Sequence, residues 1–263
     1  MLKKTTFPLL LFLTVFSVNG WATDSLRFCY FNWPPYSYLD GGTHRGIVIE
    51  TVDEAMATMG KTVIWHKQPY RRCVYEVSKG NYDGTPVFVP RPGVDLPRVN
   101  TSMVYHLAVF VVGKNSKHQS FEQLQQFAGE TMAVLRGGSS QFWLSKQPDI
   151  NLYLMNDRDD LWPMIRGSRV DVSIDDYLSL LVEGQLDDAD KLRVLKPAAR
   201  VVPTYIGFSP QRSHLATVMD QRLQELMKDR RVLQFYRRYL GQTAEELAHS
   251  LGLESLEPKG LDY

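Results

Sequence analysis

Cys29 and Cys73 are the only thiols in the chain, 44 residues apart and outside any CxxC spacing, so their chemistry depends on the compartment they meet. In an oxidising compartment two such thiols pair more often than they bind metal; in a reducing one they stay free. A second feature, Gly137-Gly138-Ser139-Ser140, falls between an apolar run and a helical one. Such a turn presents backbone N–H groups and the positive end of a helix dipole to an anion, although a serine there is also an ordinary cap. Arg91, in Val89-Pro-Arg-Pro, carries the planar fork that matches a carboxylate, and as a loop arginine it equally suits solvent. The adjacent acids Asp175 and Asp176 fit either a cationic partner or a helix cap. No GxSxG, HExxH or P-loop pattern appears, so hydrolytic and nucleotide chemistry lack their usual carriers. The histidines, His44, His66, His106, His118, His214 and His249, are scattered without ligand spacing, which argues against a metal, and nothing calls for a cofactor.

The first 22 residues decide the compartment. Lys3 and Lys4 precede an apolar run over 7–18, and small residues follow at Gly20 and Ala22. A positive start, a core of about 12 apolar residues and an A-x-A-like end make a secretory signal peptide. The run is too short for a membrane span, which needs about 20 apolar residues, and no later stretch reaches that length without charges. The mature chain is expected to start near Thr23, soluble, exported and monomeric, with Cys29 and Cys73 bonded. Losing Lys3 and Lys4 turns 30 basic and 29 acidic residues, a net +1, into a net −1. That balance excludes nucleic acid as the expected partner, because phosphate binding needs a clustered cationic excess.

About 240 mature residues suit two lobes better than one core. Apolar runs and helical patterns alternate. Strands are expected at 26–31, 62–65 and 85–89, with helices at 46–59 and 70–79, each closed by a glycine, Gly60 and Gly80. The logic repeats after a strand at 107–112. Helices are expected at 121–127, 139–145, 161–166 and 176–181, and strands at 131–135, 150–154, 170–174 and 205–209. A long amphipathic helical stretch follows over 215–240, with Leu223, Leu226, Met227, Leu233, Phe235, Tyr236 and Tyr239 toward the core. This succession implies parallel sheets flanked by helices in two α/β lobes, with the cleft between them as the default ligand site.

Seven segments then fall in a familiar order. They are 26–38 (LRFCYFNWPPYSY) with Asp40, Gly46-Ile-Val-Ile-Glu-Thr-Val, Gly80-Asn-Tyr-Asp83-Gly, Ser102-Met-Val-Tyr105, Arg136-Gly-Gly-Ser139, Gly167-Ser-Arg-Val-Asp171 with Asp176, and Phe235-Tyr-Arg-Arg-Tyr-Leu-Gly241. Each motif is weak alone; their order over the whole mature chain resembles the bacterial extracellular solute-binding proteins of family 3. Cys29 with Pro69-Tyr-Arg-Arg-Cys73 resembles a divergent branch of it.

The resemblance implies a two-lobed type II periplasmic-binding-protein fold, each lobe a mostly parallel sheet flanked by helices, with two hinge crossings near 105–106 and 204–205. Residues 23–105 and 205–263 would form lobe I, and 106–204 lobe II. A small zwitterion held between lobes needs a cation and N–H groups for its carboxylate, an acid for its ammonium, and an apolar lid. The resemblance assigns these to Arg91 or Arg98, to Arg136, Gly138 and Ser139, and to Asp176 or Asp175. Trp33, Tyr36 and Tyr70 would form the aromatic walls, Trp33 as the lid, with Arg71 and Arg72 near the mouth. Apolar Val87 and Phe88 stand where the family usually has a serine/threonine pair.

The implied function is a periplasmic protein that captures an amino acid or related carboxylate and delivers it to an inner-membrane ABC permease. Two rivals remain: a dehydratase-like enzyme on the same scaffold, and a ligand sensor without transport.

Overall fold

The computed structural model describes residues 24–91, 93–184 and 192–256; the expected export segment lies outside the described residues. β1 (Asp24–Tyr30) runs parallel to β4 (Lys61–Lys67) on one side and to β5 (Gly84–Phe88) on the other. Between them come the hairpin β2 (Tyr38–Asp40) and β3 (Thr43–Arg45), α1 (Ile47–Thr58) and α2 (Tyr70–Ser78). Every residue of β5 is buried, as a strand covered on both faces requires. α1 buries Ile47, Val48, Val52, Ala55 and Met56 at helical spacing and stops at Gly60, whose φ of 67° suits a residue without Cβ.

The second half follows the same plan. β7 (Thr131–Leu135) pairs parallel with β8 (Asn151–Met155) and with β9 (Val172–Asp176), and α3 (Ser139–Leu144), α4 (Leu161–Arg166) and α5 (Tyr177–Val182) pack around them. Two antiparallel strands join the halves, β6 (Val104–Gly113) and β10 (Leu192–Phe208), so that all but the hairpin form one sheet in the order β4-β1-β5-β10-β6-β9-β7-β8. β10 faces β6 from Leu192 to Thr204 and β5 from Tyr205 to Phe208. Tyr105 stands opposite Pro203 and His106 opposite Val202.

Several elements depart from the sequence expectation. The strand expected at 205–209 is the end of the 17-residue β10; Lys196, Pro197 and Arg200 interrupt its apolar pattern where the register against β6 shifts. The helix expected at 121–127 is a short 3-10 turn at Leu124–Phe127. The stretch 215–240 is two helices, α6 (His214–Lys228) and α7 (Arg231–Leu240), broken where Arg230 takes a φ of 58°. The break turns α7, so that Val232 rather than Leu233 is buried beside Phe235 and Tyr236, and Met227 at the end of α6 is left exposed. α8 (Ala244–Ser250) adds a helix whose capping box, Thr243 with Glu246, satisfies otherwise orphaned N–H groups.

Cys29 of β1 and Cys73 of α2 form a disulfide with Cα atoms 5.6 Å apart. Around it Tyr70, Val74, Val77, Phe88 and Leu96 make a small apolar cluster separate from the main core.

Candidate functional site

The carboxyl ends of β1 and β5 face those of β7, β8 and β9 across a cavity of about 80 Å³. Phe31, Trp33, Tyr70, Val87 and Val89 form one wall; Leu135, Met155, Leu161 and Ile174 line the other. His106, Ser139, Ser140, Arg158, Asp175 and Thr204 supply its polar atoms. A mostly apolar lining with a few convergent polar groups is that of a small-molecule site, here in a volume well below the roughly 300–1,000 Å³ usual for one.

The aromatic wall is held by backbone. The turn after β1 closes with Trp33 and Ser37 exchanging main-chain hydrogen bonds at 2.7 and 2.9 Å. Its carbonyls at Pro35 and Tyr36 then accept from the first N–H groups of α1, Ile47 and Val48, both at 3.0 Å, which satisfies that helix end. The approach requires glycine at 46, where φ is 123° and a Cβ would lie 2.3 Å from the Tyr36 carbonyl oxygen. Trp33 stacks on Phe31, centroids 5.5 Å apart, and lies 4.2 Å from the Tyr36 ring. Tyr70 opens α2, pinned from behind by the disulfide, and meets Phe31 edge-on at 5.1 Å.

The charged end belongs to the second half. Arg158, only 4% exposed, donates from Nε to Asp175 Oδ1 at 3.1 Å and from Nη1 to Glu183 Oε1 at 2.5 Å, while its Nη2 lies 2.8 Å from Asp175 Oδ2 in an ion pair without a hydrogen bond. Burial alone would lower the guanidinium's proton affinity; the two carboxylates outweigh it and hold Arg158 above its ordinary range. Burial pushes Glu183 upward in spite of Arg158. His106 is pulled down to about 4, first by burial, so its ring is neutral at neutral pH.

Of the residues singled out in the sequence, the cavity brings together Trp33, Tyr70, Gly138 and Ser139. Ser139 and Ser140 begin α3 behind Gly137, whose φ of 78° turns the chain into the helix. Asp175 rather than Asp176 reaches the cavity. Asp176 is fully buried as the cap of α5: its Oδ1 accepts from Ser179 N at 3.1 Å and its Oδ2 from Leu107 N at 2.9 Å. Burial raises it to about 7 against those two donors. Tyr36 supports the wall from behind, fully buried, its hydroxyl held far from ionisation by burial and by Asp176.

The arginines divide. Arg91 sits outside the lining at the mouth, where Nη1 donates to the Gly137 carbonyl at 2.6 Å while the guanidinium lies 5.4 Å from the Tyr70 ring and 5.3 Å from that of Phe142. Arg136 turns away to Asn156 Oδ1 at 2.9 Å. Arg98 pairs with Asp95 beside Tyr205, away from the cavity lining. Arg72 is a solvated helix residue near Glu76. Arg71 packs its stem where a Cβ on Gly137 would meet it at 3.2 Å. Sequence reading missed Arg158 and His106. Arg158 hides among acids in Asn156-Asp-Arg-Asp-Asp160, which looks like a solvated turn, and only the fold brings Asp175 and Glu183 to it.

No family model matches this chain, and no curated protein matches it. Solved structures do. An ancestral arginine-binding protein bound to glutamine superposes with a TM-score of 0.72 at 16% identity, covering 83% of this chain and 98% of that one. The P235GK mutant of ArgBP from T. maritima gives 0.73 at 15% identity over 83% and 96%. A structure from work on glutathione import via GshT and the cystine ABC importer TcyBC of Streptococcus mutans gives 0.73 at 18% identity over 84% and 96%. At such identities the likeness establishes architecture, and the chain has the two-lobed α/β fold of the amino-acid-binding proteins that serve ABC transporters.

Proposed function

We propose that this chain is an exported solute-binding protein that captures a small polar molecule, an amino acid or related carboxylate, between its lobes and delivers it to an inner-membrane ABC permease. The observation that carries this reading is the cavity itself, walled by Trp33 and Tyr70 from one half and by Ser139 and Asp175 from the other. A ligand there touches both halves and favours the closed arrangement, which is how such a protein signals occupancy to a permease. We assign the described residues within 23–105 and 205–263 to lobe I and those within 106–204 to lobe II; the side-by-side pairing of Tyr105 with Pro203 supports hinge crossings there. Among the described residues no helix is long and apolar enough to cross a membrane, which accords with export to the periplasm behind the signal segment.

The site binds rather than converts. Arg158 pairs with both Asp175 and Glu183, an ion-paired arrangement that favours holding a ligand over transferring protons. Native mass spectrometry of freshly purified protein tests the reading: a co-purified molecule of amino-acid size, released on denaturation and unchanged by incubation, is the expected result. Conversion of that molecule on incubation would replace binding with catalysis.

A further inference from the structure

His106 lines the cavity from β6, beside Asp175 and Thr204, with its ring edge-on to Trp33 at 5.9 Å and 80°. Its Nε2 is shielded from solvent and has no hydrogen-bond partner. Buried polar atoms are nearly always paired, so an orphan in a cavity wall marks the place of a partner that binds there. The Asp175 backbone beside the ring favours a proton on the nitrogen facing that strand, which leaves Nε2 as the acceptor of the neutral ring.

The surroundings keep it so. Arg158, from the turn after β8, and Arg200, from β10, oppose a second proton; Asp175, from β9, favours one, and burial outweighs it. Arg158 in turn is shared by two carboxylates, Asp175 and Glu183. Asp175 Oδ2, like His106 Nε2, is shielded and accepts no hydrogen bond, so this end of the cavity offers two open acceptor atoms beside the Arg158 guanidinium.

We propose that His106 is a ligand-contacting residue whose neutral Nε2 accepts a hydrogen bond from the ammonium group of a small zwitterion, alongside Asp175. The ligand's carboxylate is left to Ser139 and Ser140 across the cavity. The proposal rests on reading this cavity as the solute site, and it names the group that reads the amine.

The test uses the full mature protein labelled with ¹⁵N-histidine, the His106 ring signals being identified by their loss in His106→Gln. The probes are the standard L-amino acids and L-cystine, screened by thermal shift. A bare Nε2 is expected in the unliganded protein, and its resonance moves toward the hydrogen-bonded range when an amino acid that raises Tm is added. His106→Phe should weaken that amino acid about 10-fold or more, while His106→Gln, which keeps a side-chain acceptor, recovers part of the loss. The same acid lacking its amino group should bind both proteins alike. An Nε2 that is already protonated, or that stays unmoved while the amino acid binds, overturns the role of His106 and leaves the solute-binding reading standing. If no amino acid raises Tm, the amino-acid reading falls. Methylammonium, small enough for the cavity, then decides His106 on its own: a shifted Nε2 upholds the assignment and an unmoved one overturns it.

Discussion

Arg91 and Gly137 meet across the mouth of the cavity, the guanidinium Nη1 donating to the main-chain carbonyl at 2.6 Å. The arginine follows β5 and the glycine precedes α3, so one bond ties the strand end of the first half to the turn of the second. Ser179 of α5 adds another tie by donating to the Pro34 carbonyl at 2.5 Å. The two halves are thus tied by protein groups, and the arginine expected to clamp a ligand carboxylate donates to a main-chain carbonyl.

Removing the Arg91 bond should open the cleft. A hydrogen bond to a charged group contributes about 1.5–3 kcal/mol net. That is enough to shift a two-state population roughly 10- to 150-fold. Arg91→Ala should therefore raise the ligand-free radius of gyration by small-angle scattering, whereas Arg98→Ala, which removes a pair with Asp95 and a contact with the Tyr205 ring and no bond between the halves of the cavity, should leave it alone. Identical profiles for Arg91→Ala and wild type would make the Gly137 contact a bystander.

What could be read from the sequence was whatever local pattern dictates. The parallel strand-helix alternation, the Gly60 stop and the glycine-serine turn before α3 carry short-range signals, the thiol pair followed from there being two cysteines behind an export segment, and all stand in the fold. The losses are tertiary. Nothing in Asp229-Arg230 marks the break between α6 and α7, because neither residue is a glycine or proline. β10 hid because its buried Arg200 lies 4.7 Å from the Trp143 ring, so an apolar face there is built partly from a cation. Asp175 and Asp176 are neighbours in one strand, and only the start of α5 decides that the second caps the helix while the first faces the cavity.

Arg158 should prove essential to stability as well as to the site. Breaking a buried pair by removing one partner costs about 3–5 kcal/mol, because an uncompensated charge stays behind. Arg158→Met strands Asp175 and Glu183 and should lower the urea midpoint sharply. Adding Asp175→Asn and Glu183→Gln to it should restore much of the loss. A single variant as stable as wild type would show that water already screens the pair.

The disulfide pins α2 and with it the Tyr70 wall. Closing a loop of 44 residues contributes about 4 kcal/mol in the chain-entropy account. Cys29→Ser with Cys73→Ser should lose stability on that order in chemical denaturation, and thiol titration of unfolded, unreduced wild type should find no free thiol. Two free thiols per chain would remove the brace.

Asp176 and its cap give a pH signature whose sign follows from burial. Its carboxyl is raised from 3.8 to about 7, so between those values the folded state binds more protons than the unfolded one. The stability that Asp176 supplies is therefore fully present below about pH 4 and is lost as pH rises through 7. His106 works oppositely: lowered from 6.5 to about 4, it supplies stability above pH 6.5 that is lost as pH falls through 4, so the bare profile mixes the two. A difference measurement separates them. Asp176→Asn keeps an oxygen for Ser179 N but cannot ionise, and the titration of His106 is common to both proteins. The Tm of wild type minus that of Asp176→Asn should fall steadily from pH 4.5 to pH 8 and level off beyond. A difference that is flat, or that grows with pH, would mean that the donors Leu107 N and Ser179 N outweigh burial and keep the carboxylate charged.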